Sequence, residues 1–164
     1  MAGMTPGGVP MGTEIERKYL VRSDEWKQMA RRKFYRQGYL STEKARVVRV
    51  RTIDDAAFLT IKGVTVGVSR SEFEYAIPVD DANFMLDTLC EKPIIEKFRT
   101  TIELAGLVWE VDEFRGDNDG LVVAEVELSD EHQHIELPSW IGEEVSGDPR
   151  YSNSNLIHHP FTQW

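Results

Sequence analysis

Apolar and charged residues alternate one for one through much of this chain, the two-residue period of strands with two chemically different faces. The pattern predicts strands over Thr13 to Val21, Phe34 to Leu40, Ala45 to Thr52, Ala57 to Lys62, Ser69 to Pro78, Ile94 to Leu104, Leu107 to Phe114 and Leu121 to Leu128. Turn signals at Asp54-Asp55, Gly63 to Gly67, Ala105-Gly106 and Asp117 to Gly120 separate several of them. A short helix is expected after Ser23, with Asp24 and Glu25 in its first turn and Arg31, Arg32 and Lys33 at its end. A second is expected over Asp80 to Cys90, capped by Asp80 or Asp81, with Phe84, Met85, Leu86 and Leu89 as its apolar stripe. Ser129 to Ile135 reads as a further short helix ended by Pro138, and Asp148 to His159 as a loop running into a last helical turn. The fold class that follows is mainly β (α+β): an eight-stranded antiparallel closed barrel in meander order, with helices packed outside. Residues 1–12 read as a disordered leader rich in Gly and Pro, and 13–164 as one domain.

Parity within the strands sorts the charges. Glu14, Glu16 and Lys18 share a face; so do Arg49 and Arg51, opposite Val48 and Val50. Thr60 aligns with Lys62, Arg70 with Glu72 and Glu74, Lys97 with Arg99, Glu110 with Asp112, and Glu125 with Glu127. A solvated face normally mixes Ser, Thr, Lys, Glu and Gln, and any one of these strands is compatible with that reading. Here like charges recur at i and i+2, where they repel unless a counter-ion is present. Carboxylates suit hard divalent cations such as Mg²⁺ or Mn²⁺, and arginines and lysines suit phosphate. The combined pattern points to a barrel with a charged interior that holds a metal together with a polyphosphate.

Composition narrows the class. Of 164 residues, 41% are hydrophobic and 29% charged, which is enough for one domain with a sizeable core. Nineteen basic against 28 acidic residues leave a formal charge of -9, an argument against non-specific nucleic-acid binding. No apolar stretch approaches the ~18 residues of a membrane-spanning helix. The single cysteine, Cys90, excludes an intrachain disulfide, fits a reducing cytoplasm and reads as a buried small hydrophobe. His132, His134, His158 and His159 read as surface residues, and Trp26 and Trp109 as packing residues outside the barrel.

Glu14-x-Glu16-x-Lys18 is the residue pattern by which the chain resembles the CYTH family, also called triphosphate tunnel metalloenzymes. The likeness extends through Arg36-Gln37-Gly38-Tyr39-Leu40, Arg49-Val50-Arg51, Thr60-Ile61-Lys62, Ser69-Arg70-x-Glu72-x-Glu74, Glu96-Lys97-x-Arg99, Trp109-Glu110-Val111-Asp112, Glu125-Val126-Glu127 and Asp148-Pro149-Arg150-Tyr151. The resemblance implies a tunnel-shaped barrel and divalent-metal-dependent turnover of triphosphate compounds. It implies metal ligation by Glu14, Glu16, Glu125 and Glu127, with Glu72, Glu74, Glu110 and Asp112 as supporting acids. It further implies phosphate binding by Lys18, Arg49, Arg51, Lys62, Arg70, Lys97 and Arg99. In small bacterial members similar to this chain a tyrosine pairs with the lysine of the TxK strand, which maps onto Tyr39 and Lys62 as the catalytic pair.

The activity expected on this basis is hydrolysis of inorganic triphosphate to pyrophosphate and phosphate, by a monomer or homodimer using Mg²⁺ or Mn²⁺ and neither nucleic acid nor membrane. Lys62 beside Tyr39 is expected to pull the phenol pKa down for proton transfer; a structural aromatic at a strand end is the competing reading. Asp148, Arg150 and Tyr151 belong either to a flap over one tunnel mouth, with Arg150 on the substrate, or to a surface loop. Alternative activities are hydrolysis of nucleoside or thiamine triphosphates, adenylate cyclase activity, and non-catalytic polyphosphate binding. The His-Phe pair that precedes the Glu-x-Glu-x-Lys pattern in cyclase-like members is absent here, and no aromatic stands out as a base-stacking platform.

Overall fold

A computed structural model describes residues 12–164, so the expected leader lies, Gly12 apart, outside the described residues. In chain order the elements are β1 (Thr13–Val21), β2 (Arg32–Ser41), β3 (Val47–Ile53), β4 (Ala56–Lys62), β5 (Ser69–Ala76), α1 (Val79–Thr88), β6 (Ile95–Leu104), β7 (Leu107–Phe114), β8 (Val122–Glu127), β9 (Ile141–Glu144) and α2 (Asn153–Leu156). The strands form one sheet in the order β5-β4-β3-β2-β6-β7-β8-β1-β9, and β1 also pairs with β5. That last pairing joins Thr13, Glu14 and Ile15 to Ser71, Arg70 and Ser69, closing eight antiparallel strands into a barrel. β9 extends the sheet along the other half of the same β1 edge, opposite Tyr19 and Val21.

The neighbour order is not the expected meander: β1 sits between β5 and β8, and β2 joins β6. Hydrophobic alternation selects which face of a strand is buried, but it carries no information about which strand lies beside it. Here α1 supplies the crossover. It packs outside β3 and β4 and returns the chain to β6, next to β2.

Two of the three apolar clusters lie around the barrel and not within it. Ile15, Tyr19, Trp109, Val111, Ala124 and Val126 point outward from β1, β7 and β8 and are covered by Trp26, Trp140 and Ile141. Trp109 meets Trp140 edge-on at 5.6 Å, a favoured aromatic geometry. On the opposite side Val50 and Ala57 are covered by Ala82, Leu86 and Cys90. Cys90 is therefore the buried small residue expected, and burial pushes its thiol pKa up. A third cluster joins Tyr39, Val47, Ile95, Phe114 and Val123 to Tyr151, Leu156 and Ile157. Those five barrel residues occupy the end of β2, the start of β3, the start of β6, the end of β7 and the start of β8. In an antiparallel barrel these positions lie at one end, so the segment around α2 packs into that end.

Several local expectations are corrected. The helix after Ser23 is only a 3-10 turn at Glu25–Gln28. Arg32 and Lys33 already belong to β2, opposite Thr100 and Arg99 of β6, and pairing with β6 overrides the local helix signals. α1 starts at Val79 behind Pro78, with no side-chain cap, and buries Ala82 and Leu86 while Phe84 and Leu89 are exposed. Ser129 to Ile135 contains no helix; turns and irregular chain there lead to β9, which the sequence pattern did not reveal. Among the described residues no helix is long and apolar enough to cross a membrane. Trp26 and Trp109 are packing residues, and all four histidines are exposed.

Candidate active site

Because the outer faces of the strands are apolar, their alternate residues turn inward and enclose a cavity of about 450 Å³. It is lined by Glu14, Glu16 and Lys18 of β1, Tyr39 of β2, Arg49 and Arg51 of β3, Lys62 of β4, Arg70, Glu72 and Glu74 of β5, Lys97 and Arg99 of β6, Glu110 of β7, and Glu125 and Glu127 of β8. Ser152, Asn153 and Ser154 complete the wall at the end packed by α2. The charges thus face one shared hollow, as parity required. Asp112 and Arg150 are absent from the lining.

The acids and bases that line this hollow neutralise one another, mostly between neighbouring strands. Lys62 Nζ lies 3.0 Å from Glu14 Oε2, and Arg70 Nε reaches the same oxygen at 3.1 Å. Arg51 donates to Glu74 Oε2 at 3.1 Å, and Arg49 donates to Thr60 at 3.2 Å. Arg99 forks onto Asp112 with contacts of 2.6 and 2.8 Å and also reaches Glu110 at 2.5 Å. Lys97 binds Asp112 Oδ2 at 2.8 Å, beneath the wall surface. Lys18 Nζ stands 3.4 Å from Glu125 and 3.0 Å from the carbonyl oxygen of Tyr151. Repulsion between like charges at i and i+2 is therefore relieved by opposite charges on nearby strands.

Electrostatics divides the four expected metal ligands into two pairs. Burial disfavours the ionised form of Glu14, but Lys62 and Arg70 outweigh it and hold the carboxyl well below the usual range. Glu125 is likewise held well down, burial being overcome by Lys18 and Arg99. Glu16 is pushed up by burial and by the neighbouring carboxylates of Glu125 and Glu14. Glu127 is raised by burial and then by Glu110 and Glu14. The ionised forms of Glu16 and Glu127 are thus disfavoured until a cation stands beside them. Among the described residues, no group of three or more His, Cys, Asp or Glu side chains stands ready-made as a metal cage.

Tyr39 differs from expectation. Burial raises its phenol pKa, and the opposing influence of Arg49 and Arg70 does not reverse this. Among the described residues no hydrogen bond joins it to Lys62, whose ammonium is engaged by Glu14; its hydroxyl accepts from Gln37 Nε2 at 3.2 Å. The ring is packed into the apolar closed end, where a phenolate is disfavoured. Arg150 is also displaced: it pairs with Asp148 at 2.7 Å on the surface and lies over the Trp164 ring at 5.0 Å. Asp148, Arg150 and Tyr151 are absent from the cavity lining, which the next three residues, Ser152, Asn153 and Ser154, join instead.

Two residues at the closed end escaped the sequence reading. Asn153 Oδ1 accepts from Gln37 Nε2 at 3.1 Å and from Lys97 Nζ at 3.2 Å. Gln37 shares parity with Tyr39, a signal that was present in the sequence. Asn153 opens the single turn of α2, which is too short for periodicity to mark it.

Residues 12–160 match the CYTH domain family. An inorganic triphosphatase of Acetivibrio thermocellus is 53% identical over 151 residues, covering 92% of this chain and 97% of that protein. An inorganic triphosphatase of Nitrosomonas europaea is 37% identical over 148 residues, covering 88% and 96% respectively. The crystal structure of an inorganic triphosphatase superposes with a TM-score of 0.64 at 34% identity, covering 88% of this chain and 97% of its own. With the charged interior, the closed eight-stranded ring and near full-length likeness all in agreement, the chain belongs to the CYTH family.

Proposed function

We propose that the chain is a hydrolase that splits inorganic triphosphate into pyrophosphate and phosphate inside the barrel. The observation that carries the proposal is a pair of unused donors. Arg49 Nε and Arg51 Nε are buried on the cavity wall with no hydrogen-bond partner among the described residues. An unpaired buried donor on a charged group costs about 1–3 kcal/mol or more, and an anion entering the cavity would remove that cost. A compact polyanion also suits a wall that carries five further basic residues on the same hollow: Lys18, Lys62, Arg70, Lys97 and Arg99. The likeness to two inorganic triphosphatases supports triphosphate as the anion.

The donor set fits a hard divalent cation, Mg²⁺ or Mn²⁺. Glu14, Glu16, Glu125 and Glu127 supply only oxygen, and a cation beside Glu16 and Glu127 would favour the ionised forms that burial and their neighbouring carboxylates disfavour. Such an ion would neutralise phosphate oxygens and lower the pKa of a coordinated water. The chain's own residues do the remainder. As the water oxygen bonds to phosphorus and passes its proton to a phosphate oxygen, the bridging P–O bond breaks and its electron pair departs with pyrophosphate; Arg49 and Arg99 stabilise the charge that develops there, while Arg51 binds the phosphate chain throughout. Lys62 is held by Glu14 until the polyanion competes for it. Tyr39, kept as a neutral phenol, serves as a hydrogen-bond donor to a phosphate oxygen and not as the base.

A phosphate-release assay tests this reading with triphosphate, ATP, thiamine triphosphate and long-chain polyphosphate, each with Mg²⁺ or Mn²⁺ and again with chelator. Release from triphosphate that vanishes with chelator is the expected result. Preference for a nucleoside or thiamine ester would move the assignment to that substrate, and tight binding without release would make the chain a sensor.

A further inference from the structure

The closed end of the barrel holds a chain of hydrogen bonds whose direction is dictated by one group. In its protonated form Lys97 has three donors and no acceptor, so the Asn153 atom facing Nζ at 3.2 Å is then the amide oxygen. That orientation propagates. Asn153 Oδ1 also receives Gln37 Nε2 at 3.1 Å, and the same Nε2 donates to the Tyr39 hydroxyl oxygen at 3.2 Å. Gln37 is wholly buried, so its amide cannot turn to satisfy itself in solvent, and its Oε1 is left without a partner among the described residues. Two consequences follow. The Asn153 Nδ2 amide, the other half of a pinned side chain that lines the cavity, has no partner among the described residues. The Tyr39 hydroxyl, already accepting from Gln37, keeps its own hydrogen for a partner elsewhere. The raised phenol pKa is consistent with that proton being retained.

From this geometry we propose that Asn153 is a substrate-binding residue, donating its Nδ2 hydrogens to a terminal, unesterified phosphoryl group seated at the closed end, and that Gln37 is a positioning residue that sets Tyr39 to donate to the same group. The proposal rests on the triphosphatase reading above and extends it. The closed end presents N–H and O–H donors together with the Lys97 ammonium, a set suited to the oxygens of a chain terminus. An esterified phosphate, which lacks one of those oxygens and carries a bulky substituent, is directed by the same arrangement toward the other end.

Asn153→Asp is the decisive variant. It retains an oxygen for Lys97 and Gln37, so the packing around α2 is preserved, but it replaces the donor Nδ2 with a second acceptor. Steady-state hydrolysis of inorganic triphosphate should show KM raised roughly ten- to a hundred-fold, the loss of a hydrogen bond to a charged group, with thermal unfolding unchanged or shifted upward. Asn153→Gln tests whether an amide of altered reach partly restores KM. Gln37→Glu, which can only accept from Tyr39, should lower kcat and KM-corrected turnover together and shift the pH profile. If the wild-type protein hydrolyses triphosphate and Asn153→Asp matches it in KM, Asn153 merely anchors the C-terminal segment and the proposal is overturned. If the wild-type protein itself releases no phosphate from triphosphate, the failure lies with the triphosphatase reading; direct binding of inorganic triphosphate to wild type and Asn153→Asp, compared by calorimetry, then decides the Asn153 assignment separately.

Discussion

Lys62 and Glu14 meet across the strand that separates them, with Nζ 3.0 Å from one carboxylate oxygen and 3.3 Å from the other. Lys62 thereby occupies a carboxylate expected to hold a metal, and a cation entering the cavity must share or displace it. Lys62→Met should tighten Mn²⁺ binding several-fold, about the effect of removing one competing charge at close range. Turnover should fall at least tenfold for want of the lysine at the phosphate chain. Calorimetric titration with Mn²⁺ beside steady-state kinetics checks both, and unchanged Mn²⁺ affinity would mean that the ion enters without disturbing this pair.

Arg51 couples an unpartnered Nε to a single hydrogen bond on Glu74. Its guanidinium also lies 5.4 Å from the Tyr35 ring, which limits its freedom without neutralising it. Arg51→Ala should raise KM for triphosphate about tenfold while changing kcat less than about threefold, as expected of a phosphate contact made equally in ground and transition states. A fall confined to kcat would instead place Arg51 on the leaving group.

Lys97 gives the site a titration near neutrality. Burial, and then the adjacent Arg99, bring its pKa from 10.5 down to about 7, although Asp112 opposes them. The sign is that of a depressed base: the folded state binds fewer protons than the unfolded state between about pH 7 and 10, so this residue's destabilising contribution is full below pH 7 and relieved as pH rises through that window. A phosphate chain beside Lys97 favours the charged form. Triphosphate binding at pH 8 should therefore take up close to one proton more in wild type than in Lys97→Met, measured by calorimetry in buffers of different ionisation enthalpy. Equal uptake in the two proteins would show that Lys97 is already charged in the free protein.

Gly38 bears on stability. A Cβ added there would stand 2.8 Å from Cys90 Cβ and 3.1 Å from Leu86, where α1 and the residues after it lie against β2. Gly38→Ala should cost about 1–3 kcal/mol through overpacking, lowering Tm by several degrees. Thermal unfolding reads this directly, and a wild-type Tm would mean that α1 shifts outward without penalty.

Much of this protein was legible along the chain because strand parity is a local property. Glu14, Glu16 and Lys18 had to share a face, as did Arg49 with Arg51 and Glu125 with Glu127, and the apolar alternates had to share the other. Those facts determined a two-faced sheet with its charge on one side, and the order of the motifs carried the family resemblance. Long-range geometry decided the rest. Nothing local could say that Arg32 and Lys33 would pair with β6 and not end a helix, or that β1 would lie between β5 and β8. Nor could it say that Lys62 would meet Glu14 and not Tyr39. The roles of Tyr39, Asn153 and Arg150 depend on which end of the barrel the C-terminal segment enters, because burial there keeps the phenol protonated, turns Asn153 into the cavity wall and leaves Arg150 on the surface. Charge alternation is written in neighbouring residues, whereas pKa and hydrogen-bond direction arise only when segments distant in sequence exclude water together.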